Sequence, residues 1–153
     1  MDISLRKATQ SDVEFLQSLR LTTMISYLKD AGWPTDPNAI HERVMLDFNY
    51  AHIVEVGGVS AGLFKFKYLE ELNQWYVVQI QIHSDFQGRK IGSRLLLELI
   101  AKAKENGASV ALGVLKTNPA QNLYYRLGFE KVGETDAEYN LEYHNCNSVI
   151  ENG

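Results

Sequence analysis

A chain of 153 residues fits one ordinary domain, and a chain of that size hides roughly 70% of the surface its unfolded form exposes. Hydrophobic residues at 45%, charged residues at 22%, eleven glycines and three prolines exclude disordered, collagen-like and coiled-coil classes. Fifteen lysines and arginines against nineteen acidic residues leave a net charge of −4, which argues against nucleic acid as a partner.

Ile3, Leu5 and Ala8 alternate with polar residues and predict an edge strand. Thr9 or Ser11 then caps a helix through Phe15, Leu16 and Leu19. Tyr27 to Pro34 reads as an exposed aromatic linker, broken at Gly32-Trp33-Pro34. Asp36-Pro37 opens a second helix with Ile40, Val44 and Phe48 at four-residue spacing. Three strands follow as an antiparallel meander: Ala51 to Val56, Val59 to Tyr68 across the Gly57-Gly58 turn, and Trp75 to His83. Residues 89 to 106 form the strongest amphipathic helix, with Ile91, Leu95, Leu99 and Ala103 on one line and Leu96 and Ile100 beside it. Ser109 to Leu115 is a buried strand, parallel to its predecessor because a helix crossover separates them. A short helix from Pro119 to Leu127 stops at Gly128, and strands Phe129 to Val132 and Glu138 to His144 close the sheet. The fold class is therefore α/β in the α+β sense, a mixed and mostly antiparallel sheet flanked by helices. One domain is expected over residues 1 to 144, followed by a frayed tail over 145 to 153.

The amino terminus lacks the apolar core of a secretion signal, and the longest apolar run, Val110 to Leu115, is far short of a bilayer span. A cytoplasmic protein with no membrane partner is expected. A single cysteine, Cys146, permits no intrachain disulfide, and His41, His52 and His144 show no metal spacing, so no metal is expected. Charge is uneven along the chain. Residues 86 to 105 carry a local +3 and residues 128 to 153 a local −5. A small anion is drawn to the first stretch, and the acidic second stretch favours a cationic acceptor.

The junction Ile80-Gln81-Ile82-His83-Ser84-Asp85-Phe86-Gln87-Gly88-Arg89-Lys90-Ile91-Gly92-Ser93 carries the chemistry. A strand runs into a tight turn and then into the first turn of a long helix, where unpaired N–H groups and the positive end of the helix dipole converge on one spot. Gly88 and Gly92 let a diphosphate approach the main chain, and Arg89 and Lys90 add charge at the rim. The pattern is neither a Walker loop nor a dinucleotide fingerprint.

This segment resembles the acyl-CoA pyrophosphate motif of the GNAT superfamily of N-acetyltransferases, Gln/Arg-x-x-Gly-x-Gly/Ala. Gln87, Gly88, Arg89, Ile91, Gly92 and Ser93 fit it, while Lys90 stands where the first motif glycine is usual. Downstream, Asn118-Pro119-Ala120-Gln121-Asn122-Leu123-Tyr124-Tyr125-Arg126-Leu127-Gly128-Phe129 resembles the family's other cofactor-binding segment. The likeness covers about residues 2 to 143. It implies a fold with splayed central strands and acetyl-CoA as co-substrate. Main-chain groups on Ile80, Gln81 and Ile82 would bind the pantetheine arm, with the Ile82 N–H facing the thioester carbonyl. Asn118 would hold the same arm, and Tyr124 would protonate the leaving thiolate.

The acceptor side is less specified. The strand Trp75 to His83 contains no carboxylate: Gln79 and Gln81 can orient a substrate but not take a proton, and His83 is its one titratable base. Glu55, Asp30 and Asp47 are remote candidates, and Tyr27, Trp33 and Gln79 are the candidate acceptor cleft. The expected activity is direct acetyl transfer to an amine in a ternary complex, since neither motif has a serine or cysteine beside a base. A non-catalytic acyl-CoA sensor is the alternative. The acceptor is a small molecule or a peptide amine, the latter meaning a protein lysine or amino terminus, and a homodimer is among the oligomeric states left open.

Overall fold

The computed structural model describes residues 2 to 144, so the predicted tail and Cys146 lie outside the described residues. Its strands are β1 (Ile3–Lys7), β2 (Ala51–Val56), β3 (Val59–Leu69), β4 (Gln74–Ile82), β5 (Ser109–Leu115), β6 (Glu130–Glu134) and β7 (Glu138–Tyr143). Its helices are α1 (Val13–Asp30), α2 (Pro37–Met45), α3 (Ile91–Glu105) and α4 (Gln121–Arg126). The strands form one seven-stranded sheet in the order β1-β2-β3-β4-β5-β7-β6, in which only the β4–β5 pair is parallel among the registers described. This is the mixed, mostly antiparallel sheet flanked by helices that the sequence predicts.

The chain forms two compact units: residues up to Phe66 together with Val78–Gly92, and Lys67–Val77 together with the chain from Ser93 onward. In the first unit, β1 pairs with β2 from Ile3↔Val56 to Lys7↔His52, and β2 pairs with β3 around the Gly57-Gly58 turn. Ala51 and Ile53 face the same way as their partners Lys65 and Leu63, because side chains alternate along a strand. That face carries the core, in which Leu16 and Leu19 of α1 and Val44 of α2 cluster with Ala51, Ile53 and Leu63. Arg6 fixes the start of α1, donating through its two Nη atoms to Asp12 at 2.9 and 2.8 Å and through Nε to Glu55 at 2.9 Å. Asp12 also accepts from the Thr9 N–H at 2.8 Å, and the guanidinium holds its carboxyl down at about 2.

Helix α1 is longer than the sequence predicts. It runs on to Asp30 and takes in Tyr27, so the linker shrinks to the residues before Asp36. Polar residues interrupt its stripe, and two of them bond back to the helix, Thr22 to the Ser18 carbonyl and Thr23 to the Leu19 carbonyl. At its end the Trp33 N–H reaches the Leu28 carbonyl at 2.9 Å and the Gly32 N–H the Lys29 carbonyl at 3.0 Å. This closing pattern sets Trp33 against the last turn. Helix α2 starts as expected, with Pro37 in its first turn and the Asp36 carboxylate accepting from the Ala39 N–H at 3.3 Å.

In the second unit, Gln74–Val77 of β4 pair with Ser109–Leu112 of β5, β5 pairs with β7 from Val110↔Tyr143 to Leu115↔Glu138, and β6 occupies the edge beside β7. Along α3, Leu95, Leu96, Leu99, Ile100 and Ala103 are buried, as the periodicity predicts. The β4–β5 ladder stops at Val77 and Leu112, although β4 continues to Ile82 and β5 to Leu115. The central parallel pair is therefore hydrogen-bonded over its first half only. No helix among the described residues is long and apolar enough to cross a membrane.

Candidate active site

The open half of β4 lies in the first unit. The His83 N–H donates to the Ala61 carbonyl of β3 at 2.7 Å. Main-chain groups of successive strand residues point to opposite edges, so those of His83 and Gln81 face β3 and those of Ile80 and Ile82 face away from it. Gly62 makes this possible. A Cβ there would stand 2.4 Å from the Gln81 carbonyl oxygen and 3.2 Å from the Ile82 Cα, so β3 and β4 approach at a distance only glycine allows. Of the three predicted pantetheine contacts, Ile80 and Ile82 thus offer main-chain groups to the open edge, while the Gln81 carbonyl is turned to β3.

The turn that follows is held by its own side chains. The Gln87 Nε2 donates back to the Ile82 carbonyl at 2.9 Å, which ties the turn to the strand. His83 Nδ1 accepts from the Asp85 N–H at 3.1 Å, so neutral His83 carries its proton on Nε2, and the ring is committed to shaping the turn. The Arg89 guanidinium lies over the Phe86 ring at 5.3 Å. Gly88 and Lys90 have φ of +80° and +60°. Arg89 stands between these two left-handed residues, and Ile91 then opens α3. Lys90 adopts the glycine conformation in spite of its side chain, and Gln87 through Lys90 are all exposed.

The predicted acid sits in the second unit. Tyr124, in α4, is buried, and burial alone pushes its phenol up to about 12. Its neighbour Tyr125 is exposed. Gly128, at φ +104°, closes α4 and lets the Phe129 N–H return to the Tyr124 carbonyl at 3.0 Å. Asn118 Oδ1 accepts from the Ala120 N–H at 2.9 Å and thereby shapes the entry to α4.

Of the residues expected at the acceptor cleft, Gln79 is buried and its Nε2 donates to the Arg43 carbonyl at 3.1 Å, tying the end of α2 to β4. Trp33 is half-buried with the Arg43 guanidinium 5.6 Å from its ring centre, and Tyr27 is half-buried on α1. Sequence reasoning missed the cations around them. Arg20 is 4% exposed and Lys65 0%. Both interrupt an apolar pattern, Arg20 at helical spacing from Leu16 and Lys65 in alternation with Leu63, and a charge at a core position was the available signal. Lys65 Nζ donates to the carbonyls of Arg43 at 3.4 Å, Val44 at 3.0 Å and Leu46, the last contact being short. A cavity of about 470 Å³ in the second unit, lined by Leu72, Asn73, Gln74, Gly107, Ser109, Glu142 and His144, contains none of the predicted site residues. Among the described residues no group of three or more His, Cys, Asp or Glu could hold a metal ion.

The model of the acetyltransferase (GNAT) family matches residues 14–129. The chain belongs to the GNAT family. Solved structures agree on the fold. An acetyltransferase from Thermus thermophilus superposes with a TM-score of 0.74 at 19% identity, over 95% of this chain and 98% of that one. The PaiA N-acetyltransferase of Thermoplasma acidophilum, solved with coenzyme A, gives 0.71 at 18% identity over 95% of this chain and all of its own. The N-acetylglutamate synthase of Neisseria gonorrhoeae, solved with coenzyme A and N-acetyl-glutamate, gives 0.67 at 17% identity, over 94% of this chain and 35% of that longer one. No match was found among curated proteins. Both motifs read from the sequence fall within the matched span, and the β4–β5 ladder stops at Val77 and Leu112.

Proposed function

We propose that this GNAT protein transfers an acetyl group from acetyl-CoA directly to an amine acceptor. The observation that carries the reading is the open edge of β4: the ladder to β5 ends at Val77, and the main-chain groups of Ile80 and Ile82 face the side it vacates. An extended amide chain such as pantetheine can add to that edge as a further strand. Gln87, Gly88, Arg89, Lys90, Ile91, Gly92 and Ser93 would hold the pyrophosphate, through N–H groups of the left-handed turn and the first turn of α3 with the cations at the rim. Asn118 would meet the pantetheine arm. Acetyl-CoA supplies the acetyl group as an activated thioester.

The roles of the chain's own groups follow from their chemistry. The Ile82 N–H is a fixed donor for the oxygen on which negative charge collects during attack, and it needs no reorganisation to act. Tyr124, with its phenol near 12, is fully protonated at neutral pH. An ordinary thiol has a pKa of about 8.5, well below this phenol, so complete transfer of its proton to a thiolate is unfavourable. Tyr124 therefore works as a hydrogen-bond donor to the departing sulfur. The proton that finally rests on the thiol comes from the attacking amine, which loses one as it becomes an amide. β4 itself offers no carboxylate for that proton, since Gln79 and Gln81 are amides, and the Nδ1 of His83, which follows the strand, accepts from the Asp85 N–H.

The same lack of a carboxylate favours a second reading, an acyl-CoA sensor without turnover. A thiol-release assay with acetyl-CoA over a panel of small amines and lysine-containing or free-amino-terminal peptides separates the two. Acetyl-CoA binding at micromolar strength with amine-dependent release of free thiol is the expected result. Binding without release for every amine would establish the sensor instead.

A further inference from the structure

Arg20, Arg43 and Lys65 of the first unit lie close enough to feel one another's charge, and they are not equivalent. Lys65 is satisfied, its ammonium capping the carbonyl end of α2 through Arg43, Val44 and Leu46, with Asp47 adding attraction. Arg43 lies over Trp33, and its carbonyl receives both Lys65 and Gln79. Arg20 is almost wholly buried in α1. The Nε atoms of both Arg20 and Arg43 are buried and have no hydrogen-bond partner. Burial and the like charge of Arg43 push the Arg20 guanidinium down to about 10, and burial pushes the Lys65 ammonium down to about 8.

A buried guanidinium is stable only when its donors and its charge are both met. Here the nearest resolved electrostatic neighbour of Arg20 carries the same sign. What satisfies such a pair is an oxyanion, since the planar guanidinium fork matches two oxygens held in a plane, and the Arg43 guanidinium lies 5.6 Å from the Trp33 ring centre. Gln79 ties this cluster to β4 three residues before Ile82, or ~10 Å along the strand. Part of the acidic carboxyl-terminal stretch, which would favour a cation, is already engaged: Glu134 lies 2.6 Å from Lys116 and 3.5 Å from Lys131, and Glu142 lies 3.1 Å from His144 Nε2.

We infer that Arg20 and Arg43 form an oxyanion subsite, and that the acceptor is an amine carrying a carboxylate or phosphate group bound there. The assignment of the ligand as acceptor rests on the acetyltransferase reading, whereas oxyanion binding at the two arginines does not.

Matched probes test it: 4-aminobutanoate against 4-aminobutanamide for a carboxylate, and phosphoethanolamine against ethanolamine for a phosphate. In the wild type, kcat/KM for the anionic member of at least one pair exceeds that for its neutral partner by tenfold or more, and the pair showing the larger ratio names the oxyanion. Arg20→Leu and Arg43→Gln each lower that ratio on the order of 10- to 100-fold, the range expected for losing a charge-assisted hydrogen bond. Arg20→Leu removes an uncompensated buried charge, so its melting temperature is at or above that of the wild type; Arg43, being only half-buried, gives a second variant should the first not fold. An independent readout is the melting temperature of the wild type with millimolar anionic probe, which rises above that with the neutral partner and loses the difference in both variants. Ratios near one in both pairs, or ratios that the variants leave unchanged, overturn the subsite. If no amine releases thiol the acetyltransferase reading fails, and the melting difference still decides the subsite: its absence overturns it.

Discussion

Phe129 returns its N–H to the Tyr124 carbonyl at 3.0 Å, and its ring meets the Tyr124 ring edge-on with centroids 6.0 Å apart. Both contacts belong to one helix-ending pattern, so the Schellman turn that stops α4 also fixes the proposed proton-bearing ring. The spacing of Tyr124 to Gly128-Phe129 thereby has a mechanical reason.

Tyr124→Phe keeps the ring, the turn and the stack with Phe129, and removes only the hydroxyl. Turnover on a good amine is expected to fall 10- to 100-fold, while acetyl-CoA affinity stays within about twofold. Steady-state kinetics with a separate binding titration give both numbers, and unchanged turnover would remove Tyr124 from the mechanism.

Gly62→Ala places a methyl group 2.4 Å from the Gln81 carbonyl oxygen, which is backbone and cannot swing away. The strands must part, at a cost of about 1–3 kcal/mol by analogy with overpacked cores. Chemical denaturation measures the loss. Because β4 carries Ile80 and Ile82, acetyl-CoA binding should weaken with it; a stable variant with wild-type affinity would contradict the proposed role of the strand edge.

Lys90 holds φ at +60°, where a side chain costs roughly 1–2 kcal/mol. Lys90→Gly relieves that strain and gives back part of the gain as unfolded-chain entropy, leaving a net stabilisation of about 0.5–1 kcal/mol. The same change removes a rim cation, so acetyl-CoA binding should weaken several-fold and lose part of its salt dependence. Thermal melts and titrations at two salt concentrations separate the two effects.

Asp12 is held down at about 2 first by its hydrogen bonds from Arg6, against an ordinary value of 3.8. A carboxylate depressed on folding stabilises the fold in full above its unfolded value, and that contribution fades as pH drops from about 4 towards 2. Arg6 is partly exposed, so solvent screening reduces the pair to ~1 kcal/mol. Asp12→Asn should therefore lose about that much stability at pH 7 and little below pH 2, a difference that denaturant melts across the acid range would register. Equal losses at both ends would mean that the carboxylate's charge is not what matters.

Much of this architecture is legible in the residues. Every strand and three of the four helices follow from alternation, four-residue spacing, Asp36-Pro37 and the Gly57-Gly58 turn, because each rule is local. What is not legible has non-local causes. The length of α1 is hidden by Thr22, Thr23 and Ser26, whose helical state is decided by buried Leu16, Leu19 and Leu28 on other turns. The placement of β7 between β5 and β6 depends on burying Leu141, which the weak alternation of Glu130–Glu134 does not announce. Arg20 and Lys65 were hidden because a charge in an apolar stripe reads as an interruption, not as a member of it.

The two groups that Ile80 and Ile82 turn to the open edge belong to the main chain. Every residue but proline carries an amide hydrogen, so ordinary substitution cannot delete such donors. A site built this way places its functional demand on strand geometry and frees the side chains to drift. Its signature is then carried by glycines and by where a ladder stops, and two proteins of this fold can diverge until fewer than one residue in five matches. Ile82→Pro is the one exchange at that position that would erase the donor outright.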